Sequence, residues 1–174
     1  MLNMPNALTV LRIVLLPVIV WRFRVGDLGG ALFVYLAAMI TDVLDGLIAR
    51  MLNQVTALGK LLDPLADKLS LVVLLALFAR QGQISPLLIN LIFVKEMILI
   101  LGSFAALHLG VVVSALPIGK LTTFVFASSM VFRFLSYQGM SDILLLISVM
   151  LSFSSLLWYG IAFIEKVLTQ QSSI

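Results

Sequence analysis

Long apolar runs, separated by short polar or Gly- and Pro-containing breaks, dominate the chain. Each run has the roughly 20 residues that a helix needs to cross a hydrocarbon core about 30 Å thick. The runs do not alternate apolar and polar residues, as the strands of an outer-membrane barrel do. The pattern predicts an all-α, polytopic membrane protein with six transmembrane helices. The predicted spans lie near residues 8–25, 29–50, 61–80, 85–107, 116–135 and 141–166.

The connections between these spans are short, so consecutive helices are expected to run antiparallel. Six crossings place both termini on one side of the membrane, and a weak excess of lysine and arginine assigns that side to the cytoplasm. No internal repeat, linker or low-complexity segment interrupts the chain. We therefore predict a single domain over residues 1–174.

Composition supports a lipid environment, since 62% of the residues are hydrophobic, 11% are charged and the mean hydropathy is +1.20. The chain has no cysteine, which excludes a disulfide framework and a cysteine nucleophile. A net charge of +3 suits an anionic membrane surface, and we expect no nucleic-acid partner.

Four of the eight acidic residues lie in one stretch that joins the second and third predicted spans. Asp42 and Asp45 are three residues apart, and Asp63 and Asp67 are four apart, so each pair shares one face of a continuous helix. Four crowded carboxylates would repel one another unless cations neutralised them, and oxygen ligands suit magnesium or manganese. The stretch predicts a site for two divalent cations.

Small residues accompany both acidic pairs. Gly46 and Ala49 continue the face of the first pair and leave room for a nucleotide, which Arg50 would contact at the diphosphate. Gly59 lies four residues before the second pair, on the same face. Pro64 is compatible with a helix if it lies in the first turn.

Together these positions form the pattern D-x2-D-G-x2-A-R-x8-G-x3-D-x3-D between Asp42 and Asp67. This pattern resembles the signature of the CDP-alcohol phosphatidyltransferase family at every spacing. At about 5% per residue, eight matches arise by chance on the order of 10⁻¹⁰ times per starting position. The N-terminal segment NMPNALTVLR is also similar to the opening of that family.

The resemblance implies a metal-dependent enzyme of phospholipid biosynthesis that uses CDP-diacylglycerol and releases CMP. It implies a homodimer in the bacterial cytoplasmic membrane, with the active site facing the cytoplasm. Two divalent cations, Mg²⁺ or Mn²⁺, would be held by Asp42, Asp45, Asp63 and Asp67, and Asp67 would also be the catalytic base. The residues that would contact the CDP moiety are Asn6, Thr9, Gly46, Ala49, Arg50 and Gly59. For Asn6 and Thr9, capping of the first helix is the alternative.

The sequence specifies the acceptor alcohol less closely than it specifies the family. The segments MPNALTVLR and GKLLDPLADK resemble the family's bacterial phosphatidylglycerophosphate synthases, whose acceptor is glycerol 3-phosphate. Lys95, Lys120 and Arg133 are the candidate ligands of the acceptor phosphate. Lys95 stands where that branch usually has arginine, and Thr122 where it has a second lysine. Cardiolipin synthase, which uses phosphatidylglycerol, therefore stays an alternative.

Some of these residues allow other interpretations. Arg12 and Lys68 either bind phosphate or extend to the membrane interface as ordinary snorkelling side chains. Acidic residues in membrane helices also mark ion-coupled transporters, but these usually place them in repeated halves, which are not detectable here. A catalytically inactive scaffold would tolerate loss of the motif, and all eight positions are intact.

Overall fold

The computed structural model describes the backbone of residues 4–51, 57–108 and 117–171, and the side chains of residues 7–44, 66–102 and 118–166. The described backbone forms six α-helices and contains no strand. The helices are α1 (Met4–Arg24), α2 (Leu28–Met51), α3 (Ala57–Arg80), α4 (Pro86–His108), α5 (Pro117–Phe134) and α6 (Gln138–Gln171). The predictions of an all-α fold and of six helices are confirmed, with ends a few residues from those predicted.

Proline marks the beginning of two helices, α4 and α5, and lies inside α1 at Pro17 and inside α3 at Pro64. Pro86 and Pro117 are the first residues of α4 and α5, where the missing N–H costs nothing. The expectation that Pro64 lies in a first turn is wrong, because α3 begins at Ala57. The residues between Ala57 and Pro64 are mostly good helix formers, which extend the helix upstream.

Three helices end in the same hydrogen-bonded motif. At the end of α1, the Gly26 N–H donates to the Phe23 carbonyl at 3.1 Å and the Asp27 N–H donates to the Arg22 carbonyl at 3.0 Å. This is a Schellman motif, which needs a residue with positive φ just after the helix. Gly26 has φ 82°, Gly82 after α3 has φ 71°, and Ser136 after α5 has φ 64°.

Packing divides the chain into two compact units, Met1–Pro86 and Leu87–Ile174. In the first unit, α1 packs against both α2 and α3. Its buried residues recur every three or four positions, so they form one face of the helix. They are Thr9, Arg12, Leu16, Ile19 and Phe23. The Phe23 ring meets the Phe78 ring of α3 edge to face, with centroids 5.0 Å apart.

In the second unit, α5 and α6 form an antiparallel helical hairpin. The buried Ser129 hydroxyl donates to the Ser141 carbonyl at 3.0 Å, and Arg133 forms an ion pair with Asp142. Ser141, Ser148 and Ser155 are seven residues apart along α6 and are all buried. These small polar side chains lie on one face of the helix and permit close approach of neighbouring backbone.

The outer surface carries many large apolar side chains, whereas several polar ones are buried. Phe33 is 74% exposed, Phe124 67% and Leu157 68%, while Arg12 is 3% exposed. Among the described residues, the segment Gln138–Lys166 is long and apolar enough to cross a membrane, and Leu28–Leu44 is a shorter apolar helix.

Candidate functional site

Both acidic pairs lie on uninterrupted helices. Asp42 and Asp45 belong to α2, and Asp63 and Asp67 belong to α3, so the continuity on which the predicted pairing depends is confirmed. Compared with the predicted spans, α2 ends one residue later, at Met51, and α3 begins four residues earlier, at Ala57.

The buried face of α2 leads directly to the first aspartate. Ala31, Tyr35 and Ala38 are buried and recur at intervals of four and three residues, and Asp42 follows four residues after Ala38. Helical geometry therefore places Asp42 on the face of α2 that packs inside the first unit. On α3, the fully buried Ala66 immediately precedes Asp67.

Arg12 of α1 joins Asp42 and Asp67, the two aspartates of the motif whose side chains are described. Its Nη1 atom lies 2.5 Å from Oδ1 of Asp42 and 3.9 Å from Oδ1 of Asp67. Asp42 and Asp67 lie at opposite ends of the sequence motif, 25 positions apart in the chain and on different helices. Their carboxylates thus share one cationic nitrogen. The arrangement brings together three helices at the level of the motif.

The three charged groups differ in their access to solvent. The Arg12 side chain is 4% exposed, whereas those of Asp42 and Asp67 are each 45% exposed. Burying an arginine without compensation would cost several kcal/mol, which explains its contact with the carboxylates. Because both carboxylates stay accessible, an external cation or a substrate hydroxyl can reach them.

The register of the first unit explains this convergence. Arg12 and Phe23 are eleven residues apart on α1, and their partners Asp67 and Phe78 are eleven apart on α3. Equal spacing in the same direction means that α1 and α3 run parallel. The Phe23–Phe78 contact therefore fixes the axial position that places Arg12 beside Asp67.

Of the remaining residues predicted to bind the metals or CDP, one has a described side chain and the others do not. Thr9 is described: it is 1% exposed and lies three residues before Arg12 on the same face of α1. The other side chains lie outside the described set, although the backbone at each position is helical. They belong to Asn6, Asp45, Gly46, Ala49, Arg50, Gly59 and Asp63.

Two of the three candidate acceptor ligands, Lys95 and Arg133, already have partners. Lys95 is buried in α4, and its Nζ donates to Oε1 of Glu96 at 2.6 Å. Lys120 is exposed in the first turn of α5, while the buried Arg133 in the last turn pairs with Asp142. Lys120 and Arg133 are about 20 Å apart along the helix axis, so they cannot bind one phosphate together.

Arg12 is not among the predicted site residues, although it contacts two of them. The snorkelling interpretation is wrong for Arg12, because its guanidinium is buried beside carboxylates rather than extended to solvent. Two signals in the sequence pointed to it: it ends the segment NMPNALTVLR, and it lies at helical spacing between Thr9 and Leu16 on an apolar helix. Neither signal identified the partner.

A family model described as CDP-alcohol phosphatidyltransferase matches residues 2–154 of the chain. The chain belongs to the CDP-alcohol phosphatidyltransferase family. The resemblance inferred from the aspartate motif is confirmed, and the chain belongs to the family that the motif predicted. The match includes residues of both compact units.

Individual members of the family resemble the chain over shorter lengths. A CDP-diacylglycerol–glycerol-3-phosphate 3-phosphatidyltransferase from Rickettsia bellii is 40% identical over 99 residues, which cover 54% of each protein. One from Rickettsia typhi is 38% identical over 130 residues, or 71% of each. A CMP-forming cardiolipin synthase from Rattus norvegicus is 39% identical over 103 residues, which cover 59% of this chain and 34% of that protein. The chain thus matches about half the length of the R. bellii protein.

Proposed function

We propose that this protein transfers the phosphatidyl group of CDP-diacylglycerol to glycerol 3-phosphate and releases CMP, a reaction of phospholipid biosynthesis. Membership of the CDP-alcohol phosphatidyltransferase family supports the reaction class. The names of the Rickettsia relatives support glycerol 3-phosphate as the acceptor. The observation that carries the proposal is the meeting of Asp42 and Asp67 at Arg12, which gathers both ends of the family motif.

The aspartates fit a divalent metal site. Asp42 and Asp67 offer only carboxylate oxygens, the ligands that Mg²⁺ and Mn²⁺ prefer, and both are half exposed. The arginine that contacts both shows that positive charge is stabilised at this position. Among the described side chains no group of three or more acidic, histidine or cysteine residues converges, but Asp45 and Asp63 lie outside that set. All four aspartates together would hold two cations.

The proposed reaction needs a base, a leaving group and an oriented phosphate. Bound divalent cations would supply neutralisation of the charge on the diphosphate. Asp67 takes the proton of the acceptor hydroxyl, whose oxygen attacks the phosphorus of the lipid phosphate. The bond from that phosphorus to the bridging oxygen breaks, and CMP leaves with the oxygen and its electron pair. Asn6, Thr9, Gly46, Ala49, Arg50 and Gly59 would bind the CDP moiety.

Lys95, Lys120 and Arg133 are the proposed ligands of the acceptor phosphate, in two alternative combinations. Lys120 and Arg133 lie at opposite ends of α5, so only one of them can serve the same phosphate. Lys120 is exposed, whereas Arg133 is buried and already paired with Asp142. This difference in access favours Lys120 over Arg133.

The six helices are proposed to cross the bacterial cytoplasmic membrane, with both termini and the aspartates on the cytoplasmic side. The exposed apolar side chains and buried polar ones are the distribution expected when lipid is the solvent. Only 28% of the apolar stretch within Gln138–Lys166 is buried. This fits a helix that faces lipid along much of its surface. A homodimer is proposed from the family resemblance.

Cardiolipin synthase is the second candidate. A specific observation favours it: the rat cardiolipin synthase is 39% identical to the chain over 103 residues. That reaction uses phosphatidylglycerol as the acceptor and also releases CMP. An ion-coupled transporter has no comparable support, since the matched family is a transferase family.

The decisive experiment measures CMP release by the purified protein with CDP-diacylglycerol and Mg²⁺. Glycerol 3-phosphate, phosphatidylglycerol, inositol phosphate and serine are offered separately, and a chelator serves as the control for metal dependence. Release with glycerol 3-phosphate alone supports the proposal. Release with phosphatidylglycerol alone would replace it with cardiolipin synthase. Absence of release with every acceptor would contradict enzymatic transfer.

A further inference from the structure

We infer that Arg12 is a built-in counter-ion which partly neutralises Asp42 and Asp67 in the metal-free protein and which divalent cations displace from Asp42. The inference rests on the proposed function, because it assumes that these aspartates bind metal. It assigns Arg12 a positioning role: the residue keeps the carboxylates of α2 and α3 together before metal arrives.

The contacts of Arg12 are directed at the predicted metal ligands. Nη1 is 2.5 Å from Asp42 and 3.9 Å from Asp67, so one nitrogen serves carboxylates on two helices. A guanidinium is always protonated, so its charge is present at every pH at which the protein is folded. Without such a charge, the two carboxylates would repel each other across the gap between α2 and α3.

Packing of α1 does not by itself require an arginine at this position. The same face of α1 is held in the first unit by the buried Leu16, Ile19 and Phe23, and the Phe23 ring contacts Phe78 of α3. An apolar side chain at position 12 would continue that buried face. The arginine is therefore explained by the charge of its partners rather than by the need for a hydrophobic contact.

Direct contact with Arg12 and coordination of a cation are competing states of Asp42. Two positive unit charges 4 Å apart repel by about 4 kcal/mol at an effective dielectric constant of 20. A divalent cation at that distance from the guanidinium would be repelled by about twice as much. A metal that binds Asp42 therefore weakens its contact with Arg12. By thermodynamic reciprocity, removal of Arg12 must strengthen metal binding to the same degree.

The experiment compares thermal unfolding of the full-length detergent-solubilised protein in chelator and over a Mg²⁺ titration. The variants are Arg12→Gln, which removes the charge, and Arg12→Lys, which keeps it. Arg22→Gln is the matched control, because Arg22 lies on the same helix and pairs at 2.7 Å with Asp27, outside the aspartate motif. The readouts are the melting temperature and the Mg²⁺ concentration that gives half of its maximal rise.

In chelator, Arg12→Gln is expected to melt below the wild type. Mg²⁺ then raises its melting temperature by more than that of the wild type, and the half-saturating concentration falls about fivefold or more. Arg12→Lys is expected to lie between the two, and Arg22→Gln to show the wild-type response to Mg²⁺. If Arg12→Gln does not fold in chelator, a half-saturating concentration for Arg12→Lys below that of the wild type still supports the inference.

Three outcomes would overturn the inference, two of them in Arg12→Gln and one in the wild type. A loss of stability in Arg12→Gln that is equal with and without Mg²⁺ would make Arg12 a structural residue only. A higher half-saturating concentration would mean that Arg12 assists the metal rather than competes with it. Failure of the proposed function is distinguishable, since it would appear as absence of CMP release by the wild type. A wild type whose melting temperature does not respond to Mg²⁺ or Mn²⁺ would contradict both this inference and the metal site.

Discussion

Substitution of Asp67 by asparagine is the sharpest test of the proposed chemistry. Asparagine keeps the shape of the side chain but removes its charge and its ability to take a proton. We expect transfer to fall by about 10² to 10⁴, the usual contribution of a general base, which corresponds to roughly 3–5 kcal/mol in the activation free energy. The fold is expected to remain intact.

The contact between Asp67 and Arg12 determines how much stability Asp67→Asn should lose. Asp67 lies 3.9 Å from Arg12, a distance at which opposite unit charges attract by about 1 kcal/mol in water and about 4 kcal/mol at an effective dielectric constant of 20. The Asp67 side chain is 45% exposed and Arg12 keeps its shorter contact with Asp42, so the value in water is the better guide. We expect a loss of about 1 kcal/mol in the free energy of unfolding, far less than the change in activation free energy.

The assay combines CMP release under saturating substrates with thermal unfolding in the same detergent. Asp27→Asn is the matched control, because Asp27 is also half exposed and pairs with an arginine of α1, at 2.7 Å, but lies outside the motif. The control should keep at least half of the wild-type activity. Activity of Asp67→Asn close to that of the wild type would refute the role of Asp67 as base. Recovery of its activity at high Mg²⁺ would show that Asp67 acts only as a metal ligand.

Three further predictions concern the fold. Ser136→Gly should raise the free energy of unfolding by about 0.5–1 kcal/mol, because a left-handed backbone is costly for serine. Gly82→Ala should lower the free energy of unfolding for the same reason. Denaturation in detergent measures both changes in stability. Asp27 has a pKa below its ordinary value of 3.8, mainly because the Gly30 N–H bonds its carboxylate. Its stabilising contribution is therefore present above that value and disappears as the pH falls through the folded-state pKa, so the melting temperatures of wild type and Asp27→Asn should converge in acid. Phe78→Ala should cost about 3–5 kcal/mol, whereas Phe124→Ala, at a position that is 67% exposed, should change stability by less than about 1 kcal/mol. Equal losses would contradict the burial of Phe78 against Phe23.

The sequence by itself determined the number of helices and the family. Long apolar runs impose helix because backbone groups in an apolar environment must bond within their own segment. The breaks were visible as Gly, Pro and charged residues, and the fixed spacing of eight motif residues identified the family. Local spacing also predicted correctly that each pair of aspartates lies on one continuous helix.

Only the tertiary structure decided which side chains meet. The pairing of Arg12 with Asp42 and Asp67 depends on three helices, and no local pattern specifies their axial register. That register is set by packing between distant residues, as in the contact of Phe23 with Phe78. The pairing of Arg133 with Asp142 likewise depends on how α5 turns into α6. Charge attraction depends on distance in space, and sequence separation gives that distance only within a single helix.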